Sequence, residues 1–378
     1  ADTSRDTTPV GQRIAAIDIG SNSIRQLIAD VTPRGEIRIV DELKAAPRLG
    51  HGLSHTGMLG ESNMDEAIAA LRRMATLAKQ LEASRIEVVA TSAVRDAANG
   101  AAFLARVRRE TGLRFRILRG DEEARLAFRS ALAHFELGRG RSVVMDIGGG
   151  SLELALAAEG LVERLVSFPF GAIRLTERYL TGHSGPKGVR KLRKAVRKEI
   201  KKALPLRDWR GAEVIGSGGT FTNLAGMYLA RKGVKVRSVH GTRVPRQGVE
   251  HLLEQLSTMS VEERLAVPGL NAGRADLIVA GLAVAAEVLA RVEPRELLTS
   301  AYGIREGLLL ESARIAPTIA DPGEARERSI IASPSGATTK RACRTGAAAV
   351  APALRCHGRA DRVRARGPAA PRRCRAPT

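Results

Sequence analysis

The sequence contains little cysteine, and most of its length contains none. All three cysteines, Cys343, Cys356 and Cys374, fall in the last 36 residues, so the first 342 residues contain no thiol. A disulfide-stabilised scaffold is therefore excluded, and the irregular spacing of the three does not match a zinc site.

Long apolar runs are also lacking. No run of about 18 apolar residues occurs, so no membrane-spanning helix is predicted. The polar start "ADTSRDTTPV" lacks the apolar core of a signal peptide. We therefore expect a cytoplasmic protein.

Three familiar sequence motifs are missing. No G-x-x-x-x-G-K-[ST] occurs, which excludes a P-loop NTPase, and no H-E-x-x-H occurs. The segment "DIGGGSLE" does not complete G-x-G-x-x-G, which disfavours a dinucleotide-binding fold.

What the chain has is length and positive charge. Its 378 residues suffice for two domains, and 44% apolar content is ordinary for a globular protein. The 61 Lys and Arg against 40 Asp and Glu give a net charge of +21. Such an excess indicates an anionic partner, although composition alone does not distinguish nucleic acid, a membrane surface and a phosphate-rich substrate.

The strand pattern repeats along the chain. "IAAIDIGSNSIRQLIADV" at 14–31 and "VVMDIGGGSLELAL" at 143–156 both read as strand, Asp-Ile-Gly turn and strand. Strands alternate with helical patterns after each, for example a helix at 63–83 and a strand at 86–94, while "HGLSH" at 51–55 reads as a loop. We predict an α/β fold with two duplicated domains that flank a cleft.

The predicted boundaries follow this repeat: a flexible N-terminus (1–11), domain I (12–135), domain II (136–315), and a linker with a basic tail (316–378). From about Ala332 the tail has no aromatic residue and one acid, Asp361, against eleven Lys and Arg. We expect it to be disordered. Its composition is typical of a GC-rich coding sequence read out of frame, so an altered terminus is favoured over a nucleic-acid-binding tail.

Three glycine-rich turns could bind phosphate. Each exposes several backbone N–H groups in one concavity. Because glycine has no side chain, a ligand can approach these groups closely. Helix N-termini such as the one after the third turn add a preference for anions. The candidate residues are Asp18, Gly20, Ser21, Asn22 and Ser23 in the first turn; Gly148, Gly149, Gly150 and Ser151 in the second; and Gly216, Ser217, Gly218, Gly219 and Thr220 in the third.

Six ordered motifs resemble one family. "AIDIGSNSIRQLIADV", "ATSAVRDAANGAAF", "ILRGDEEARLAF", "VVMDIGGGSLELAL", "SFPFGAIRLTE" and "VIGSGGTFTNLA" are similar to those of the exopolyphosphatase and guanosine pentaphosphate phosphohydrolase family. This family belongs to the actin, Hsp70 and sugar kinase superfamily. The resemblance covers about residues 12–315 and implies two actin-like domains of ribonuclease H type, dependence on Mg²⁺ (or Mn²⁺), and release of terminal phosphate from polyphosphate or pppGpp.

The resemblance also implies residue roles. Glu123 in "GDEEAR" matches the general base, and Asp146 and Glu153 match the residues that hold Mg²⁺ or orient the attacking water. Arg95 and Arg25 match phosphate-facing arginines. The first turn would clamp phosphate with side chains, whereas the bare glycines of the second would leave room for metal and water.

Structural explanations compete with each of these roles. Glu123 follows Asp121 and Glu122 at a helix start, where acids are favoured by the helix dipole. Asp146 could cap a turn, Glu153 could be a solvated strand position, and Arg95 could lie on the surface at a helix entry.

A basic helix is predicted at 187–207. Its apolar residues recur at helical spacing, and the rest of its surface is almost entirely basic. It is either a solvated face or a track for a long polyanion, with Lys191, Lys194, Lys198 and Lys201 along it.

Two other function classes remain open, namely a superfamily ATPase or kinase and a non-catalytic polyphosphate- or alarmone-binding protein. Neither nucleic acid nor a membrane is the expected partner, and a homodimer is left open. Longer family members continue into an all-helical region, which the predicted tail does not resemble, so processive handling of long chains is in doubt.

Overall fold

The computed structural model describes residues 11–137, 139–181, 185–205, 209–235 and 237–315. The predicted flexible N-terminus, except Gly11, and the predicted linker and basic tail with its three cysteines lie outside these ranges. In the described ranges, no helix is both long and apolar enough to span a membrane.

The first sheet has five strands in the order β3-β2-β1-β4-β5. The first three are antiparallel, and β4 and β5 continue parallel to β1. Their bounds are β1 Gln12–Ile19, β2 Ile24–Val31, β3 Ile37–Ala45, β4 Arg85–Ala90 and β5 Phe115–Ile117. Most of β1 and β2 is buried because helices cover both faces of the sheet.

The second sheet has six strands in the order β10-β11-β9-β6-β7-β8. Their bounds are β6 Arg141–Ile147, β7 Leu152–Ala158, β8 Leu161–Phe168, β9 Glu213–Ser217, β10 Arg243–Pro245 and β11 Glu296–Thr299. An antiparallel meander, β6-β7-β8, is again followed by two parallel strands, β9 and β11, on the other side of the first strand. Apart from β10, an antiparallel edge strand beside β11, the sheets thus share one order and direction of strands, as a duplication predicts.

Twelve α-helices lie within the described ranges. They are α1 Leu53–Thr56, α2 Glu61–Gln80, α3 Ser92–Asp96, α4 Gly100–Thr111, α5 Gly120–His134, α6 Ala172–Tyr179, α7 Gly185–Ala203, α8 Gly219–Arg231, α9 Arg246–Thr258, α10 Val261–Leu265, α11 Ile278–Val292 and α12 Ile304–Ser312. The apolar residues of α2 and α4 pack on one face of the first sheet, and those of α11 pack on one face of the second.

Two helices cover the remaining faces, and each packs on the sheet from the other half of the chain. Helix α5 follows the first sheet in the chain, but its Ala127 and Phe128 pack on the second sheet. Helix α12 follows the second sheet, but Leu308 and Leu309 pack on β1 and β2. The proposed domain boundary between residues 135 and 136 stays a prediction.

Two local predictions are wrong. The strand expected at 86–94 ends at Ala90, because Thr91 donates its N–H to Ile19 O and its own carbonyl accepts from Arg95 N, which opens α3. The loop expected at 51–55 contains α1, whose two ends are glycines with positive φ, Gly52 at 75° and Gly57 at 68°.

Candidate functional site

A cleft of about 820 Å³, including its open mouth, lies where the predicted turns meet. The sequence-predicted residues that line it are Asp18, Gly20, Ser21, Asn22, Ser23, Arg25, Glu123, Asp146, Gly148, Gly149, Ser151, Glu153, Gly218 and Gly219. Residues from both halves of the chain therefore line one cavity.

The two hairpins place their charged residues in the same way. Asp18 lies directly opposite Arg25 on β1 and β2, and Asp146 lies directly opposite Glu153 on β6 and β7. Opposite residues of an antiparallel pair project from the same face of the sheet. Each hairpin thus presents a pair of charged side chains to the cleft, and the second pair consists of two acids.

The first and second turns are in direct contact. A Cβ on Gly149 would lie 2.8 Å from Ser21 Cβ, and one on Gly150 would lie 2.3 Å from Ser92 Oγ. The hydroxyls of Ser21 and Ser92 are 3.0 Å apart and share a hydrogen bond. Two of the three bare glycines therefore let the turns pack together, while Gly148 faces more open space.

Glu123 differs from its acidic neighbours, Asp121 and Glu122, in the hydrogen bonds that it makes. Glu122 Oε2 accepts from Arg119 N at 2.8 Å, and Asp121 pairs with the Arg119 side chain, so both serve the helix start. Glu123 is instead buried on the cleft wall, and its Oε1 accepts from Arg95 Nη1 at 2.5 Å. The helix dipole therefore accounts for Asp121 and Glu122 but not for the burial of Glu123.

Arg95 contacts Glu123 instead of lining the cleft. Its Nη1 also donates to Leu118 O at 2.6 Å, and its Nε lies 3.4 Å from Asp96 Oδ1. Burial raises the pKa of Glu123 to about 8, and the Arg95 hydrogen bond and charge act against that rise. Arg95 thus orients the carboxylate and favours its ionised form.

The other acids of the cleft also have raised pKa values, because their ionised forms are unfavourable in this buried site. Burial raises the pKa of Asp18 and of Asp146 to about 6 each. Burial, and then the charges of Glu123 and Asp146, raise the pKa of Glu153 well above its ordinary value, and Ser167 Oγ donates to Glu153 Oε1 at 2.9 Å. A cation placed among these carboxylates would offset the cost of their burial and reduce their mutual repulsion.

The third turn divides between cleft and core. Gly218 has φ 92°, and a Cβ there would lie 2.6 Å from Asp146 Oδ1. Gly216 packs under the ring of Phe221, and Thr220 packs against Gly281 of α11. Ser217, buried at the end of β9, lies opposite Asp146 in the parallel register.

Two arginines of the cleft were missed from the sequence. Arg274, on a 3₁₀ turn at Ala272–Arg274, and Arg305, on the first turn of α12, both line the cavity. A Cβ on Gly219 would lie 2.4 Å from Arg274 Nη2, so the missing side chain makes room for this guanidinium. The one available signal was an arginine at the border of an apolar helix, "AGRADLIVA" and "YGIREGLLL", which many surface arginines share.

Three polar contacts beside the cleft join loops and helices from the two halves of the chain. Arg48 Nη2 pairs with Asp276 Oδ2 at 2.8 Å, and Arg174 Nη2 pairs with Asp96 Oδ2 at 2.5 Å. Glu177 Oε1 accepts from the backbone N–H of Gly52 at 2.7 Å. These contacts hold the turns in register across the cleft.

The lysines and two of the arginines of the basic helix have different surroundings. Lys191, Lys194, Lys198 and Lys201 of α7 are exposed. Arg193 and Arg197 instead turn toward the buried Glu287 of α11 and donate to it at 2.6 and 2.7 Å. The lysines therefore form an exposed strip, whereas these two arginines fasten the helix.

Comparison with known proteins gives consistent matches. A model described as the Ppx/GppA phosphatase family matches residues 27–315. Exopolyphosphatase 2 of Mycobacterium tuberculosis (strain CDC 1551 / Oshkosh) is 34% identical over 322 residues, 80% of this chain and 98% of that protein. Exopolyphosphatase 1 of Mycobacterium bovis is 31% identical over 313 residues, 79% and 87% respectively.

Two solved structures are also similar. The crystal structure of the Aquifex aeolicus member of the Ppx/GppA family has a TM-score of 0.68 and 30% identity, covering 80% of this chain and 98% of the other. That of an exopolyphosphatase from Cytophaga hutchinsonii has a TM-score of 0.74 and 27% identity, with the same coverage.

Proposed function

The chain belongs to the Ppx/GppA phosphatase family of the actin-like superfamily, and we propose that it hydrolyses the terminal phosphoanhydride bond of inorganic polyphosphate. The protein is a hydrolase, as its relatives are. Two of those relatives are named exopolyphosphatases, which favours polyphosphate as substrate. The terminal phosphoanhydride of pppGpp presents the same chemistry and is the second candidate.

The observation that carries this proposal is the position of Glu123. Its carboxylate is buried, held by Arg95, and faces a cavity that also presents Arg25, Arg274 and Arg305. A carboxylate placed opposite several cations is suited to activating water against a polyanion.

In the proposed reaction, Glu123 accepts a proton from a water molecule as that water attacks the terminal phosphorus. A new P–O bond forms while the bond from that phosphorus to the bridging oxygen breaks. The electron pair remains on the bridging oxygen, which leaves as the end of a chain one phosphate shorter. Arg25, Arg274 and Arg305 neutralise the phosphoryl oxygens, and the N–H groups of the glycine turns position them.

The cleft residues fit a Mg²⁺ ion or, as the resemblance also allows, Mn²⁺. Asp146 and Glu153 would hold it, since Mg²⁺ takes one or two carboxylates and completes its shell with water and substrate oxygens. Asp18 Oδ1 is buried without a hydrogen-bond partner, which adds an uncompensated acceptor nearby. Among the residues that the structure describes, no three acidic, His or Cys groups form a complete metal cluster. When bound, the ion would supply charge neutralisation at the substrate oxygens.

The test is phosphate release by the purified protein from long-chain polyphosphate, pppGpp and ATP, with and without Mg²⁺. The proposal predicts release from polyphosphate. Release from ATP alone would favour a superfamily ATPase, and binding of polyphosphate without any release would favour a binding protein. A cytoplasmic location and a homodimer stay predictions.

A further inference from the structure

A second cavity adjoins the cleft. This open basin of about 740 Å³ shares Arg25, Thr222 and Arg274 with the cleft. Lys44, Asn223 and Asn271 contribute to its wall, and we call it the outer basin. The two arginines therefore separate the outer basin from the carboxylates of the catalytic cleft.

The outer basin carries three cations and no acid among its lining residues. Lys44 lies directly opposite Arg25 on β3 and β2, a pairing of like charges that destabilises a sheet unless it is compensated. Within the described ranges, none of Lys44, Arg25 and Arg274 forms a salt bridge of its own. Asp18 lies opposite Arg25 on the cleft side, but the basin itself has no acid, so its positive charge favours the binding of an anion.

Arg274 supplies the second indication of a ligand. The residue is only 7% exposed, and its Nη1 is buried with no hydrogen-bond partner in the described part of the chain. Burying an unpaired guanidinium is costly unless an anion pairs with it. A phosphate oxygen at the border of the two cavities would satisfy this donor.

The loop that carries Arg274 is firmly attached. Asn223 Oδ1 accepts from Asn271 N at 2.7 Å, and Asn223 Nδ2 donates to Gly219 O at 2.7 Å. Gly269 lies so close to Gly226 that a Cβ on Gly226 would be 2.6 Å from Gly269 O. The outer basin is therefore a preorganised site that requires little ordering when a ligand binds.

We propose that the outer basin binds internal phosphates of a linear polyphosphate chain whose terminal phosphate lies in the cleft, and that Lys44 determines the preference for long chains. This inference rests on the proposed function and adds the substrate's chain length to it. Lys44 lies in the outer basin and not in the cleft, so it acts only on a substrate long enough to pass the two arginines.

The experiment compares Lys44→Gln with Lys44→Arg, and with Lys79→Gln as a matched exposed lysine on α2. The measured quantity is kcat/KM on tripolyphosphate, long-chain polyphosphate and pppGpp. We expect Lys44→Gln to reduce the ratio of long-chain to tripolyphosphate kcat/KM about tenfold, the size of one charge-assisted hydrogen bond. Lys44→Arg should restore most of it, and Lys79→Gln should leave the ratio unchanged.

An equal loss on both polyphosphates, or no loss, would overturn the inference while leaving the proposed function intact. A loss confined to pppGpp would assign the outer basin to the nucleotide's second phosphate group and would also overturn it. If the unaltered protein releases no phosphate, the proposed function fails. Binding of long-chain polyphosphate to Glu123→Gln, with and without Lys44→Gln, then decides the inference: a Kd raised about tenfold supports it, and an unchanged Kd contradicts it.

Discussion

Arg95 donates from Nη1 to Glu123 Oε1 over 2.5 Å, and this pair joins α3 to the first turn of α5. Burial raises the pKa of Glu123, and Arg95 lowers it. Replacing Arg95 by Gln should therefore raise that pKa further, so less of the base is ionised at neutral pH. We expect the acid limb of the pH profile of kcat/KM to move to higher pH. At pH values below the pKa of Glu123, each pH unit of this shift should lower kcat/KM about tenfold.

The control for this prediction is Arg95→Lys, which keeps the positive charge and should move the limb less. The measurement is phosphate release from polyphosphate over a pH series. An Arg95→Gln enzyme that loses activity equally at every pH would indicate that Arg95 does not act through the ionisation of Glu123.

The contact between the two hairpin turns predicts a second result. Gly149→Ala would force its Cβ to within 2.8 Å of Ser21 Cβ and 3.0 Å of Ile173 Cδ1. We expect a loss of about 1–3 kcal/mol in the free energy of unfolding, and slower turnover because the turns separate. Gly148→Ala is the comparison, since its nearest neighbour would be Ser151 O at 3.6 Å, an ordinary contact. Denaturant unfolding measures both, and equal stabilities would contradict the proposed packing.

The buried Glu287 predicts a pH-dependent stability. Burial alone would raise its pKa, but the hydrogen bonds of Arg197 and Arg193 outweigh burial and lower the pKa below its ordinary value. A carboxyl group whose pKa is lowered by folding stabilises the folded protein at pH values above its unfolded pKa of about 4.3. This contribution is lost as the pH falls through the pKa of the folded protein. Glu287→Gln should therefore lower the free energy of unfolding by about 3 kcal/mol at pH 7, and by less at about pH 3, below the unfolded pKa.

The matched control is Glu296→Gln, which breaks an ion pair with Arg243 on the surface. Its cost should be about 0.5 kcal/mol or less. Chemical denaturation at both pH values distinguishes the two, and a Glu287→Gln deficit that stays constant with pH would argue against the ion-pair explanation.

The exposed lysines of α7 predict a salt-dependent interaction with long chains. Changing Lys194, Lys198 and Lys201 together to Gln should weaken binding of long-chain polyphosphate at low salt, because fewer counterions are released. The dependence of log Kd on log salt concentration should also become shallower. A triple variant at the exposed Lys79, Lys232 and Lys235 removes the same charge elsewhere. If both triple variants bind alike, α7 is a solvated face and not a track.

Much of the site could be predicted because it is local in sequence. Asp146 and Glu153 are joined by a short turn, so the strand period alone brings them to one face. The three glycine turns were visible as sequence motifs for the same reason. The sequence does not show, however, that Gly218 and Gly219 line the cleft while Gly216 and Thr220 lie in the core. That difference depends on packing against Phe221 and α11.

The remainder depends on contacts between distant parts of the chain. Arg274 lines the same two cavities as Arg25 of the first hairpin, and its loop is fastened to α8 through Asn223. The sequence predicts that the glycines of the second turn leave space for metal and water. In the structure Gly149 and Gly150 serve mainly the contact with Ser21 of the first hairpin turn and Ser92 of α3.

The most direct test of the central claim is the phosphate release rate of Glu123→Gln on polyphosphate, compared with Glu122→Gln one residue away. Glu122 caps the helix, and Gln can keep that hydrogen bond, so its variant should retain most activity. Loss of the general base predicts a fall of about 10²–10⁴-fold in kcat for Glu123→Gln, with polyphosphate still bound. A Glu123→Gln enzyme as fast as Glu122→Gln would contradict the account.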